Sequence, residues 1–338
     1  MTCKVTIKMV TNTEFLNINN EKDFLNIAIK TFEKQFKENK VYNEWCRLMN
    51  VKQINTLSDI PFLPISFFKT KKVVCSNEGF EDYFLSSGTG NMSRSTHYVF
   101  NKQMYLDNTI NCFEQFYDKV ESYCYICLLP NYLEQEHSSL ICMMDNFVHK
   151  SKFSQSGFFK NELNQVLDIL IDNQINNVKT ILFGVTYALL DLVEEKKRKN
   201  IIDVLDRCIV FETGGMKGRR KEISKQELHS VLKQGLGVKD IASEYGMCEL
   251  FSQAYSKSDG KFFTPKQMQV FIKPVNDPKG ENIINHNGVI NIIDLANQDS
   301  CAFIQTEDIG RKYSDDSFEI LGRLNHADIR GCNLMYEN

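Results

Sequence analysis

The apolar positions along the chain follow one rhythm at the start and two rhythms afterwards. Between residues 21 and 49, Phe24, Ile27, Ala28, Phe32, Phe36, Tyr42 and Trp45 recur at helical spacing, which predicts one or two amphipathic helices. Asp59-Ile60-Pro61-Phe62-Leu63-Pro64 breaks the pattern, since proline lacks the amide hydrogen a helix needs. Residues 73–85 then read as strands and 96–100 as another. A helix follows over 101–117, an apolar strand over 123–130, a polar loop over 131–137, and helices over 138–147 and 163–175. The strand 180–185 turns through Gly184-Val185-Thr186 into a helix over 187–193. The strand 209–213 ends in Gly214-Gly215 before a basic helix start at 217–221. Strands over 289–295, 303–311 and 318–321 close the chain. Strand, short glycine turn and helix in repetition predict βα units on a largely parallel sheet. Ligands of such sheets sit beyond the carboxyl ends of the strands, where these glycine turns fall.

Composition narrows the class. With 338 residues, 42% hydrophobic and 25% charged, the chain is an ordinary globular one, long enough for one large or two medium domains. A net charge of -3 and a pI of about 6.1 argue against a broad nucleic-acid surface. No apolar run approaches the ~18 residues of a membrane span. The 10 N-terminal residues alternate around Lys4 and Lys8 and do not resemble a secretory signal. The 11 cysteines are scattered and odd in number, so free thiols in a reducing, cytoplasmic compartment are expected. Cys124 and Cys127 form a lone CxxC whose members point to opposite faces of a strand, which reads as packing and not as a zinc or redox site. The charge run 194–199 reads as a solvated helix end.

The stretch with the most chemistry runs Phe84-Leu85-Ser86-Ser87-Gly88-Thr89-Gly90-Asn91-Met92-Ser93-Arg94-Ser95-Thr96-His97. Strand-forming residues flank a turn of hydroxyls and glycines, whose backbone N–H groups can converge on an anion. As residues alone, it serves equally as an ordinary polar hairpin turn. It is neither a Walker loop nor a dinucleotide fingerprint. Further on, Ser243-Glu244-Tyr245-Gly246-Met247-Cys248-Glu249 sets an aromatic, a glycine and a carboxylate close together, and Thr306-Glu307-Asp308-Ile309-Gly310 ends a strand in acids. His97 and His137 read as satisfied surface histidines.

Taken in order, these segments resemble the motifs of the adenylate-forming acyl ligases. Ser86-Ser87-Gly88-Thr89-Gly90 resembles their phosphate loop and Gly184-Val185-Thr186 their Gly-Val-Pro turn. Gly214-Gly215 resembles the turn along the adenine, and Tyr245-Gly246-Met247-Cys248-Glu249 their Tyr-Gly-x-Thr-Glu motif. Thr306 to Gly310 resembles Thr-x-Asp-x-Gly, and Gly322-Arg323 the Gly-Arg before their hinge. The resemblance covers roughly residues 80 to 332. Within the superfamily it looks closest to the acyl-protein synthetases of bacterial luminescence, which serve fatty-acid reductase complexes and end near a Gly-Cys that carries the acyl group. The departures are Gly90 and Asn91 in the loop, no lysine after it, Cys248 in place of threonine, and a chain that stops after the hinge.

The resemblance implies an α/β fold: the large N-terminal-type domain of adenylate-forming enzymes, with mixed and parallel sheets flanked by helices and without the small lysine-bearing C-terminal domain. This domain would span 1–322, with a helical region over about 1–70, and 323–338 would be a tail. It also implies ATP and Mg²⁺ as cofactors. Ser86, Ser87, Gly88, Thr89 and Gly90 would hold the β/γ-phosphates. Gly214, Gly215, Tyr245 and Gly246 would line the adenine, Asp308 would take the ribose hydroxyls, Glu249 would bind Mg²⁺ and Arg323 would pair with the nucleotide or position the tail. Cys332 would accept the acyl group; it lies nine residues after Arg323, a reach of roughly 30 Å at ~3.3 Å per extended residue. By residues alone, Cys332 is equally an incidental cysteine near a chain end. The implied activity is activation of a fatty or other carboxylic acid and its transfer to a protein thiol, for an acyl reductase partner. No nucleic acid and no membrane span are implied, and a homo-oligomer is compatible. The alternatives are an acyl- or aryl-CoA ligase of the phenylacetate-activating type and a non-catalytic nucleotide-binding subunit.

Overall fold

The computed structural model describes residues 13–51, 53–86, 94–130, 137–201, 205–214, 224–275, 277 and 280–324. Helix α1 (Glu21–Glu38) starts at Asn20, whose side-chain oxygen accepts from the Asp23 amide at 2.9 Å, satisfying an otherwise orphaned donor. Asn39 ends α1 and caps α2 (Lys40–Leu48) in the same way, through the Tyr42 amide. Then come β1 (Leu63–Pro64), α3 (Phe67–Thr70), the hairpin of β2 (Asp82–Leu85) and β3 (Thr96–Val99), α4 (Lys102–Glu114), β4 (Cys124–Leu128), α5 (Ser139–Lys150), β5 (Gly157–Phe159) and α6 (Leu163–Ile175). They continue with β6 (Thr180–Val185), α7 (Thr186–Arg198), β7 (Cys208–Thr213), α8 (Lys225–Leu236), β8 (Ile241–Tyr245), β9 (Ala254–Ser256), β10 (Met268–Lys273), β11 (Asn287–Asp294), β12 (Phe303–Lys312) and β13 (Phe318–Arg323).

Two main sheets result. The first has the order β5-β4-β6-β7-β8-β9, parallel except for β9. Strand β4 is buried at every position, as expected of a parallel strand covered on both faces. Helices α4 and α5 pack on one face, bringing Phe113, Met143, Met144 and Phe147 into its core. The second sheet, β1-β12-β11-β10 with β13 on β12, is antiparallel apart from the β1 contact. Helices α1 and α2 are tied to it by side chains: Gln35 Nε2 donates to Asn297 O at 2.8 Å, the Ala302 amide donates to Gln35 Oε1 at 2.9 Å, and Asn39 Nδ2 donates to Ser300 O at 3.0 Å.

The mixed α/β class stands as expected, with differences in detail. The sheet expected to be largely parallel is joined by an antiparallel one, because β10 to β13 follow one another without helical crossovers. Of residues 73–85 only Asp82–Leu85 is a strand; Val73 and Val74 are buried without ladder partners of their own. Strands β8, β9 and β10 were not foreseen. The helix start expected at 217–221 lies outside the described residues, and α8 begins at Lys225. No helix among the described residues is long and apolar enough to cross a membrane.

Candidate active site

The carboxyl end of β8 meets the edge of the second sheet, and three of the expected site residues touch there. Tyr245, the last residue of β8, donates its hydroxyl to Asp308 Oδ2 at 2.8 Å, and Arg323 Nε donates to Asp308 Oδ1 at 3.2 Å. Asp308 and Arg323 are cross-strand partners on β12 and β13, so antiparallel register alone sets them face to face. Asp308 is buried and the Arg323 side chain is 79% exposed, so the ion pair bridges the interior and solvent. The Tyr245 ring is edge-packed by Phe262 and Phe318 at 6.0 and 5.7 Å, and burial pushes its hydroxyl well above the ordinary range. Tyr245 is therefore a packed, hydrogen-bonded residue at the site and not a free ring.

The other motifs meet in pairs. Gly214, with φ +70°, ends β7 in the left-handed region that suits glycine. Its carbonyl accepts from Thr186 Oγ1 at 2.8 Å, which joins it to the Gly184-Val185-Thr186 turn. Beneath it Glu212 is buried, with Lys225 Nζ at 3.6 Å, His229 Nε2 at 3.7 Å and Ser243 Oγ at 3.3 Å. Burial works to raise the Glu212 carboxyl, yet these neighbours hold it below its usual value.

The neck of the candidate phosphate loop is closed by Ser86. Its amide donates to Ser95 O at 3.1 Å, its hydroxyl accepts from the Ser95 amide at 2.9 Å, and its carbonyl accepts from Arg94 Nε at 2.6 Å. Ser87, Gly88, Thr89 and Gly90 lie outside the described residues, as do Gly215 and Cys332.

His97 requires a correction. It is fully buried, not a surface histidine. Its Nδ1 lies 2.7 Å from Cys248 O and its Nε2 lies 3.1 Å from Asn297 Oδ1. Asn297 Nδ2 in turn donates to Glu249 O at 2.8 Å and to Cys301 O at 2.9 Å. His97 and Asn297 thus lie against two consecutive carbonyls of the Tyr-Gly-Met-Cys-Glu segment, those of Cys248 and Glu249. Burial lowers His97 to about 4, so it stays neutral at physiological pH and its one N–H donates to one of these two acceptor oxygens. The signal was in the sequence: His97 and Val99 share a face of β3, and both are buried. His137 is half-buried, stacked on Tyr83 at 3.9 Å, with Nδ1 3.2 Å from Asp82 Oδ1.

Glu249 is buried at the end of this segment. Mg²⁺ is typically held by one or two carboxylates together with substrate phosphates and waters, a role one carboxylate at this position fits. Among the described residues no group of three or more His, Cys, Asp or Glu side chains could hold a metal by itself. The nine described cysteines are all free, Cys124 and Cys127 included. Burial is the leading cause that raises the thiol of each one, so none is prepared as a thiolate.

No protein-family profile matches the chain, and no curated protein is detectably similar to it in sequence. Its similarity is to solved structures. A 2-hydroxyisobutyryl-CoA ligase in the postadenylation state, in complex with 2-HIB-AMP, aligns with a TM-score of 0.65 and 10% identity, covering 90% of this chain and 68% of that one. ATP-bound MatB from Rhodopseudomonas palustris aligns with a TM-score of 0.52 and 14% identity, covering 72% of this chain and 48% of that one. The luciferase-like enzyme of the nonluminescent mealworm Zophobas morio gives 0.50 and 13%, over 74% and 60%. The chain spans about half the length of the MatB structures. At these identities the likeness is one of architecture: the chain has the mixed α/β fold of the adenylate-forming ligases.

Proposed function

We propose that this protein activates a carboxylic acid with ATP and transfers the acyl group to a thiol of its own chain, at Cys332. In the first step a carboxylate oxygen attacks the α-phosphorus of ATP and the bond to pyrophosphate breaks, leaving an acyl-adenylate. In the second the Cys332 thiolate attacks the acyl carbon, a C–S bond forms, and AMP leaves with the carboxylate oxygen. Catalysis of the first step is mainly positioning and charge neutralisation.

The observation that carries this reading is the convergence of separate motifs on one edge: Tyr245, Asp308 and Arg323 in direct contact, with Gly214 ending the neighbouring strand. In this reading Ser86 to Gly90 hold the phosphates, Gly214, Gly215, Tyr245 and Gly246 border the base, and Asp308 takes the ribose hydroxyls with its remaining lone pairs. Glu249 holds Mg²⁺, which when bound neutralises phosphate charge. Arg323 ties the tail, 323–338, to the body, 1–322. The thiol reading is supported by the raised thiols of the nine described cysteines, seven of them buried, which leaves Cys3 and Cys332 as the other two thiols of the chain. The fatty acid and the acyl reductase partner rest on the sequence resemblance alone.

Intact-mass spectrometry after incubation with ATP, Mg²⁺ and carboxylic acids tests this on the wild type and Cys332→Ser. A hydroxylamine-labile adduct in the wild type only is the expected result. Pyrophosphate release with turnover on coenzyme A and no adduct would replace the protein thiol by a soluble one. ATP binding without pyrophosphate release would leave a non-catalytic subunit.

A further inference from the structure

The first sheet forks at the carboxyl ends of β7 and β8. The ladder between these strands runs through Val210–Ile241, Phe211–Ala242 and Glu212–Ser243, and stops there. Beyond that pair β7 stays with β6, where Thr213 faces Val185. Strand β8 stays with β9, where Tyr245 faces Ala254. Gly214 and Tyr245, each two residues past the last shared pair, therefore stand on opposite sides of a cleft between strand ends. Sheets of this kind receive their ligands at such a place.

Each side of the fork has its own anchor. On one, Thr186 Oγ1 donates to Gly214 O at 2.8 Å. On the other, the Tyr245 hydroxyl donates to Asp308 Oδ2 at 2.8 Å. The two sides are joined at the vertex. Glu212 and Ser243 are partners in the last pair of the ladder and point to one face of the sheet, where Ser243 Oγ donates to Glu212 Oε1 at 3.3 Å. The other carboxylate oxygen, Glu212 Oε2, lies 3.4 Å from Thr186 Oγ1, so one side chain touches the strand ends on both flanks of β7. Glu212 and Ser243 are both buried. A buried carboxylate needs compensation. It comes from Ser243 and from α8, whose Lys225 Nζ and His229 Nε2 approach Glu212 Oε1 at 3.6 and 3.7 Å, and these neighbours outweigh burial. The charge on Glu212 is thus kept in place at the vertex, although no step of the adenylation mechanism uses it.

We propose that Glu212 and Ser243 are positioning residues of the nucleotide site: their bond sets the opening of the fork, and with it the separation of Gly214 from Tyr245 that a planar base has to span. The assignment rests on the reading that Gly214 and Tyr245 border the base. With the vertex untied, the two sides can spread while each keeps its own anchor, and a base then meets one wall and not both. In that reading the phosphates are held elsewhere, by Ser86 to Gly90, so the effect falls on the base and spares the phosphates.

The test is calorimetric binding, to the full chain, of ATP and of tripolyphosphate, which has no base. Ser243→Ala and Glu212→Ala are each expected to weaken ATP at least about fivefold and to leave tripolyphosphate within about twofold. The double variant is expected to bind ATP no more weakly than the weaker single variant, because both substitutions remove the same bond. Glu212→Gln, which keeps an acceptor oxygen, is expected to lose less than Glu212→Ala. Unchanged ATP affinity in folded Ser243→Ala, equal losses for ATP and tripolyphosphate, or losses that multiply in the double variant overturn the assignment and leave adenylation standing. Ser243→Ala decides alone if Glu212→Ala does not fold. ATP binding that weakens as expected, in a protein that exchanges pyrophosphate with no carboxylic acid, overturns adenylation and leaves the assignment standing. A wild type that binds no ATP overturns both.

Discussion

Asp294 and Glu244 are acids at the ends of inner strands, and their surroundings could hardly differ more. Asp294 closes β11 and accepts from the Phe251 amide at 2.7 Å, the Ser252 amide at 2.9 Å, the Ser252 hydroxyl at 2.6 Å and the Ala296 amide at 3.2 Å. Glu244, near the end of β8, accepts from no described residue. Burial raises both carboxyls above their ordinary values. The difference lies in what each is for. A carboxylate ringed by backbone donors holds a turn, and here it fixes the segment that follows Glu249. A carboxylate without donors weakens the fold wherever it ionises.

Mutation can break this contrast. The largest effect is expected at Asp294→Ala, which strands three buried amides and the Ser252 hydroxyl: a loss of about 3–5 kcal/mol in urea unfolding. An unchanged midpoint would show that water replaces the carboxylate and that the turn does not depend on it. His97→Leu comes next, at about 2–4 kcal/mol, because the buried acceptor that the single N–H of the neutral ring serves, Cys248 O or Asn297 Oδ1, is left unpaired. The folded-state value of His97 is depressed to about 4 from 6.5, so its contribution is present above pH 6.5 and is lost as pH falls toward 4. The deficit of the leucine variant should narrow over that window, and a pH-independent deficit would argue for lost packing instead.

Glu244→Gln sharpens the contrast in the opposite sense. The folded-state value of Glu244 is raised from 4.5 to about 8, so its favourable contribution is complete below pH 4.5 and is lost as pH rises through 8. The glutamine variant should match the wild type at pH 4 and exceed it by about 1–2 kcal/mol at pH 8.5, a gain limited by the partial exposure of the side chain. A variant less stable at every pH would mean that the carboxylate has a structural partner after all. The smallest effect belongs to Tyr245→Phe, which removes one hydrogen bond to Asp308 and is expected to cost about 1 kcal/mol in the same urea titration.

Much of this was legible in the chain, and what was not follows a physical pattern. The strand Thr180–Val185 and the helix Leu163–Ile175 have the bounds that periodicity predicts, since local patterning and burial agree there. Strand β8 escaped because Ser243, Glu244 and Tyr245 interrupt its apolar pattern, and the polar contacts of Ser243 and Tyr245, to Glu212 and Asp308, come from other strands. Asp308 and Arg323 were both singled out, yet their pairing depends on the register of β12 with β13, including the shift between Ile309 and Gly310. Asn297 left no trace in the sequence, because a polar residue between Leu295 and Ser300 looks like any surface turn until the partners it meets, from Gln35 to Glu249, are brought to it from elsewhere.

The fastening of α1 and α2 has a consequence for how the molecule is made. Gln35 and Asn39 hold partners 261 to 267 positions further along the chain. During synthesis α1 and α2 leave the ribosome long before the carbonyls and the amide they bind, which are present only once residues 297 to 302 have emerged. Those helices must wait with Phe24, Ile27 and Phe32 uncovered while the parallel sheet forms behind them, since contacts of such separation close late. Helices α1 and α2 are thus translated well before the residues that hold them and are among the last elements to find their place, and they are where a chaperone would be expected to bind.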